Sequence, residues 1–517
     1  MKRKILLFVS IIMVATLVLA GCGDGDTSGD NSGSGQAKDS VKIPLDSIGN
    51  TMDVHASTLR VDSIVTRQFS EGLYYVEDDG TLAPRLAENY EVSEDGTVYT
   101  FELREGVKFH NGEEFTASDV VWNFQRCLDE MHRYQYVQDI VNIEALNDYT
   151  VEFTIEAPSS VFVYNIANVL LVSQVAVEEA GDEYGAIVDN AGTGPYILTK
   201  YDMNQQILLE ANPEYWRGQA DIENIEFVPM ADASTKLIAF ERGEFDFVEV
   251  PTADWNNLVD SGKFTTETAP GLHISYLGLN VGKEDSPLYD EKVRQAIAYA
   301  LDKESMVAVA ADGLADVADY MMRPDLIAGS VEHGNTYSYD PEKARELLAD
   351  AGYADGFDLG AIEAINAANN RYVKIAEILE QNLADIGITS TIKIGETASM
   401  LPAWKTDREY DIFVSGFTPS ITYFEYKGYV YSEMDLQVQL NLNENIDTDL
   451  VDDGFDEATR EQDEDRRDEI YGEVDSYLMD MAAYIPVMNV NTLFAWDEDL
   501  SAVAPIRYYD IYAWSWE

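Results

Sequence analysis

The chain has 517 residues, 95 acidic against 34 basic side chains and a formal net charge of −61. That balance repels nucleic acid and bare anionic lipid, and it excludes a polyanion-binding role for most of the surface. Cys22 and Cys127 are the only cysteines, so no disulfide framework is available.

In chain order, Met1-Lys2-Arg3-Lys4 is a basic start and Ile5 to Ala20 is apolar apart from Ser10 and Thr16. Leu-Ala-Gly-Cys, ending at Cys22, follows, and then a Gly/Asp/Ser run. Basic start, apolar stretch and small-residue cleavage site are the order of a secretory signal. At about 16–17 residues the apolar run is at the short limit for a membrane span. Cysteine directly after Leu-Ala-Gly resembles a bacterial lipobox, in which the thiol takes a diacylglycerol. Residues 1–21 are therefore expected to be a lipoprotein signal peptide, Cys22 the lipidated residue and 22–40 a flexible tether. What remains is too long for one core and points to two or three lobes.

Strand and helix signals then alternate. Tyr99, Phe101 and Leu103 share one face at period two, as do Val151, Phe153 and Ile155. Between them Thr116 and Asp119 have capping-box spacing, and Val120, Phe124, Cys127 and Met131 form one helical stripe. Cys127 reads there as a small buried hydrophobe. Val293, Ile297 and Leu301 mark a later helix. Asp340, Pro341 and Gly352 mark the cap, first turn and stop of the next. Tyr372, Ile375, Leu379 and Leu383 line a helix that ends at Gly387 and passes into a strand. This alternation is that of a mixed α/β protein.

Catalytic signals are scarce. His55, His110, His132, His273 and His333 are isolated, without zinc spacing. Gly278 to Glu284 is one residue short of a phosphate loop, and no G-x-S-x-G elbow occurs. The acidic run Glu444 to Glu469 reads as a solvated helix face rather than a calcium loop. No catalytic residue, metal site or cofactor is expected, and the chain is not read as an enzyme.

Four ordered stretches carry a family resemblance: "LAPRLAENYEVSEDGTVYTFELREGVKFHNGEEFTASDVVWNF", "GTGPYILTKYDMNQQILLEANPEYWRG", "PLYDEKVRQAIAYALDKE" and "YDPEKARELLADAGY". They resemble the family 5 solute-binding proteins, the oligopeptide, dipeptide and nickel receptors of ABC importers. The resemblance implies a type II periplasmic-binding-protein-like fold, two lobes joined by a hinge, with an extra subdomain in the first. Lobe I is expected at 41–72, 186–272 and 486–517, the extra subdomain at 73–185, and lobe II at 273–485. The chain would cross between lobes near Gly271–Asn280 and Ala482–Val490, both apolar and extended. Such blocks identify a scaffold and not a ligand: Phe109, Tyr196, Tyr215 and Trp216 within them read as core.

The ligand question falls on Ser415 to Phe424, "SGFTPSITYF", a neutral stretch with three aromatic rings. In peptide-binding members the matching stretch lines the cleft and carries an aspartate for the peptide amino group. Here that position falls at or near Ser420, and the next acid is Glu425. An arginine that meets the peptide carboxylate in some receptors is replaced by Val414. The implied ligand contacts are Trp404, Gly416, Phe417, Thr418, Ser420, Tyr423 and Glu425, with Tyr276 on the first crossing. With both charged anchors absent from this stretch, the expected ligand is a small polar oligomer held by rings and hydroxyls. Peptide is the first reading and oligosaccharide, stacked on Trp404, Phe417 and Tyr423, the alternative. Nickel is weaker, because no histidine is near the stretch in sequence. The partners implied are an ABC permease and a lipid anchor, and the location is the extracytoplasmic face of a membrane, as in a Gram-positive cell. The receptor is expected to be a monomer with no nucleic-acid partner.

The anchor has a direct test. Cys22→Ser removes the sulfur that the thioether needs, so the variant should appear in the medium or remain unprocessed. A variant that fractionates with membranes at mature length contradicts the lipobox reading.

Overall fold

The computed structural model describes residues 38–517 other than 58, 131, 189–190, 325, 327–335, 367–369, 407–409, 420–426 and 431–445. Cys22, Met131 and His333 lie outside the described residues. Three sheets organise the rest. Ser40–Leu45 pairs parallel with Asn224–Pro229, and Gln206–Ala211 and Tyr196–Asp202 extend that sheet antiparallel. A second, antiparallel sheet runs Ala87–Val92, Val98–Leu103, Thr150–Ile155, Ile140–Asn147. A third, seven-stranded sheet takes Phe247–Glu249, Tyr484–Trp496, Thr265–Leu279, Ile412–Phe417, Phe357–Ile365 and Ile388–Gly395 in order, with Ala315–Val317 beside Tyr484–Trp496.

The elements form where the sequence periodicity puts them. Tyr99, Phe101 and Leu103 are buried while Glu102 between them is exposed. Helix Ala117–Asp129 opens on a formed capping box of Thr116 and Asp119 and buries Val120, Phe124 and Cys127. Burial pushes the Cys127 thiol up to about 12, which leaves it an inert hydrophobe. Asp340 accepts from the Glu342 and Lys343 amides to start the helix Pro341–Asp350. Phe357–Ile365, helix Arg371–Asp385 and Ile388–Gly395 make a parallel strand–helix–strand unit.

The recurring glycine and tyrosine blocks are scaffold. A Cβ on Gly192 would lie 1.8 Å from the Phe69 carbonyl oxygen, so only glycine lets that backbone approach. Beside it the buried Glu71 carboxylate accepts from Tyr215 Oη at 2.8 Å, Trp216 Nε1 at 3.0 Å and Thr193 Oγ1 at 3.2 Å. Burial raises the Glu71 pKa, and the three donors offset part of that cost.

Two long antiparallel strands, Thr265–Leu279 and Tyr484–Trp496, serve different cores at their two ends. Ala269, Phe494 and Trp496 join the core of the first sheet. Leu277, Leu279, Ile485 and Val487 join the core beneath Phe357–Ile365 and Ile412–Phe417. The pairing register shifts between Ala269 and His273, at Pro270-Gly271, and the strands change cores at that bulge. The antiparallel second sheet is tied to both sides. Arg126 bonds Asp53 in two-pronged fashion, at 2.7 and 3.1 Å. On the other side the Ser160 amide donates to Thr459 O at 2.7 Å and its hydroxyl to Ala458 O at 3.1 Å, capping helix Thr448–Arg460.

The bulge generates a test. A Cβ at Gly271 would sit 1.5 Å from the Val490 carbonyl oxygen. Gly271→Ala should therefore cost about 1–3 kcal/mol of unfolding free energy in a urea titration, the range of an overpacked site. An unchanged midpoint would show that the strands do not hold this close approach.

A candidate ligand cleft over the hinge strands

A cavity of about 430 Å³ opens where the two long strands change cores. Its floor is made by those strands, through Gly271, Leu272, Val490 and Thr492. One wall carries Arg60, Glu249, Ile506, Arg507 and Tyr508; the opposite wall carries His273, Thr418 and Pro419. Tyr136 and Asn168 reach in from the region of the second sheet. Every part of the fold thus contributes to one space.

On the His273 wall the geometry is closely determined. The ring nitrogens of His273 lie 2.9 Å from Thr418 Oγ1 and 3.0 Å from Tyr372 Oη. Burial, with Arg371 nearby, brings the His273 pKa down to about 4, so the imidazole is neutral at pH 7. One nitrogen then donates and the other accepts. Gly416 makes this possible: a Cβ there would lie 2.6 Å from Tyr372 Oη and 2.7 Å from His273 Nε2.

The Arg507 wall is cationic. The Tyr508 ring is flanked by the Arg67 guanidinium at 4.5 Å and that of Arg507 at 5.1 Å. Burial alone would raise the Tyr508 pKa, but Arg67, Arg507 and Arg133 together bring it below the ordinary phenol value. Behind Tyr508 a second space of about 60 Å³ is lined by Arg67, Arg85, Arg217 and Ser70. Arg67 Nε and Ser70 Oγ are buried with no hydrogen-bond partner among the described residues. Among the described residues Glu249 is the carboxylate that lines the main cavity. Burial raises its pKa, and Arg60 acts in the opposite sense.

Of the contacts expected from sequence, Thr418 lines the cavity. Trp404 does not: it is 1 % exposed, stacks on Phe413 at 4.4 Å, and donates to Glu363 at 2.6 Å. An indole with an apolar neighbour for its face and an acceptor for its N–H belongs to the core. Tyr276 is likewise buried, edge-on to Phe413 and Phe417, and Phe417 is buried against it and does not line the cavity. Gly416 acts by its lack of a side chain. Ser420, Tyr423 and Glu425 lie outside the described residues. The charged groups that line the cavity come from parts of the chain distant from the neutral stretch. His273, distant from the stretch in sequence, touches Thr418 across the paired strands, so a histidine is near it in space.

Arg60, Arg507, Tyr508 and His273 were not singled out from sequence. Arg507 carried a signal that could have found it: it is the one basic residue between 468 and 517, and it stands in the aromatic stretch "IRYYDIYAW". Among the described residues no group of three or more His, Cys, Asp or Glu is arranged to hold a metal, and no helix is long and apolar enough to cross a membrane.

Comparison with known proteins agrees with this architecture. Residues 81–432 match the model of the bacterial extracellular solute-binding proteins, family 5 (middle). The glutathione-binding protein of Pectobacterium atrosepticum is 32% identical over 359 residues, covering 68% of each chain. Heme-binding protein A of Haemophilus influenzae is 29% identical over 415 residues, covering 73% of this chain and 75% of that one. The ABC transporter substrate-binding protein CtaP of Listeria monocytogenes superposes with a TM-score of 0.82 at 22% identity, covering 93% of this chain and all of that one, a likeness of fold. The two-lobed type II architecture, the cavity over its crossing strands and the family match lead to one conclusion: the chain belongs to the family 5 extracellular solute-binding proteins, the substrate-binding receptors, not enzymes, of ABC importers.

Proposed function

We propose that the protein captures short peptides and delivers them to an ABC permease, tethered to the membrane through a lipid on Cys22. One observation carries the ligand class: a single cavity offers both a carboxylate, Glu249, and guanidinium groups, Arg60 and Arg507. A peptide presents an amine and a carboxylate that pair with them by charge, whereas a neutral oligosaccharide would meet them only through its hydroxyl groups. Of the three rings on which a sugar is expected to stack, Trp404 and Phe417 are engaged in the core, and Tyr423 lies outside the described residues. At about 430 Å³ the cavity is near the lower end of the roughly 300–1,000 Å³ usual for small-molecule sites, which suits a peptide of a few residues. The relative named for glutathione, itself a tripeptide, supports the same class.

In this reading lobe I comprises 41–72, 186–272 and 486–517, lobe II is 273–485, and 73–185 is the extra subdomain. The Arg507 wall then belongs to lobe I and the His273–Thr418 wall to lobe II. Closing the cavity brings the two walls onto the ligand, with the bulge at Pro270-Gly271 as the pivot.

Native mass spectrometry of freshly purified protein should show a bound mass in the range of short peptides. After that ligand is stripped, adding a matching peptide at a hundredfold excess over its dissociation constant should stabilise the fold by about 2.7 kcal/mol. A hexose-series mass, with stabilisation by oligosaccharides alone, would overturn the peptide assignment.

A further inference from the structure

Basic side chains are scarce in this protein, yet several of them surround the cleft without a carboxylate to pair with. Elsewhere the abundant acids find them: Arg126 meets Asp53 at 2.7 Å, Arg85 meets Glu77 at 3.1 Å and Arg323 meets Asp316 at 3.1 Å. Arg60, Arg67, Arg371 and Arg507 have no ion pair within 4.0 Å among the described residues. Arg60 and Arg507 line the cavity itself. Arg67 lies against Tyr508, which lines it, and Arg371, next in sequence to the Tyr372 that bonds His273, acts electrostatically on that histidine. In a chain with 95 carboxylates, four guanidinium groups without an ion pair among the described residues, two lining the cavity and two beside residues that line it, are a specific arrangement. Unpaired cations that repel one another are costly in a partly enclosed site, and a ligand anion relieves that cost.

Resting on the peptide reading, we infer that the cleft selects peptides of net negative charge, with one carboxylate held at Arg507 and Arg60 and a surplus carboxylate beyond the one that balances the amine. Among the described residues Glu249 is the one carboxylate that lines the cavity and matches one amine, whereas Arg60 and Arg507 exceed what one terminal carboxylate neutralises. Arg67, stacked behind Tyr508, adds to the positive potential without reaching the ligand directly. The chemistry recognised is the carboxylate, whether it comes from the peptide terminus or from an acidic side chain. Guanidinium is suited to either because its planar fork matches both oxygens.

The test uses the full mature protein and a tripeptide series with Glu, Gln or Lys at one position, each as free acid and as C-terminal amide. Titration calorimetry should order the free acids Glu, Gln, Lys from tightest to weakest, with about tenfold or more between the ends. Amidation reads the terminal carboxylate, and the Glu–Gln difference reads the side-chain one. In Arg507→Gln and in Arg60→Gln the charge preference should shrink, while Arg507→Lys should retain part of it. Arg60 is exposed, so its replacement leaves the fold in place, and melting curves of each variant control for stability. Equal affinity across the charge series, or a preference unchanged in both glutamine variants, overturns the inference and leaves the peptide reading intact. Binding of no peptide in any charge form, with another solute bound, overturns both.

Discussion

The antiparallel pairing of Thr265–Leu279 with Tyr484–Trp496 is the constraint on which the rest depends. These strands are the hydrogen-bonded link through which one sheet passes from the core of Phe494 and Trp496 to the core of Leu277 and Ile485. At the bulge the backbones approach so closely that residue 271 must be glycine, and the floor of the ligand cavity is that same backbone. In the proposed lobe assignment, hinge and binding site are therefore one object. Under that assignment a ligand seated on Gly271, Leu272, Val490 and Thr492 would touch the pivot as well as both walls, which would give its binding energy a direct route into lobe closure. The Ser160 contacts to the end of helix Thr448–Arg460 add a second tie between distant parts of the chain, at the level of two hydrogen bonds.

Charge is organised on two length scales. At long range a net charge of −61 opposes the approach of anions. Screening confines that repulsion to roughly a Debye length, about 8 Å at physiological ionic strength, so a ligand inside the cavity responds mainly to the groups that line it. There the order is reversed, with guanidinium groups around Tyr508 and a neutral imidazole opposite. The acidic exterior and cationic interior thus do not conflict. The exterior keeps macromolecular polyanions away, and the interior determines which small solute is retained.

Much of the fold was legible in the sequence because it rests on local periodicity. Tyr99, Phe101 and Leu103, the capping box at Thr116, the cap at Asp340 and the stripe from Tyr372 to Leu383 stand where their spacing places them. The site was less legible, since its walls are assembled from positions hundreds of residues apart, Arg60 with Arg507 and His273 with Thr418. Aromatic residues near a binding stretch are ambiguous in sequence for a physical reason. A tryptophan can stack on a ligand or on a phenylalanine, and Trp404 does the latter because Phe413 and Glu363 offer both a face and an acceptor. A neutral stretch is equally silent about the charge of the space it borders. Thr418 meets a histidine brought in by strand pairing, and the cations face it from the other wall.

Because the proposal makes hinge and site coincide, the most direct measurement is the shape of the molecule with and without ligand. Solution scattering on stripped protein should give a radius of gyration that decreases when the tightest-binding solute is added to saturation, with the change reversed on its removal. A radius that stays constant at saturation, with binding confirmed calorimetrically on the same sample, would contradict a clamp pivoting on the two crossing strands.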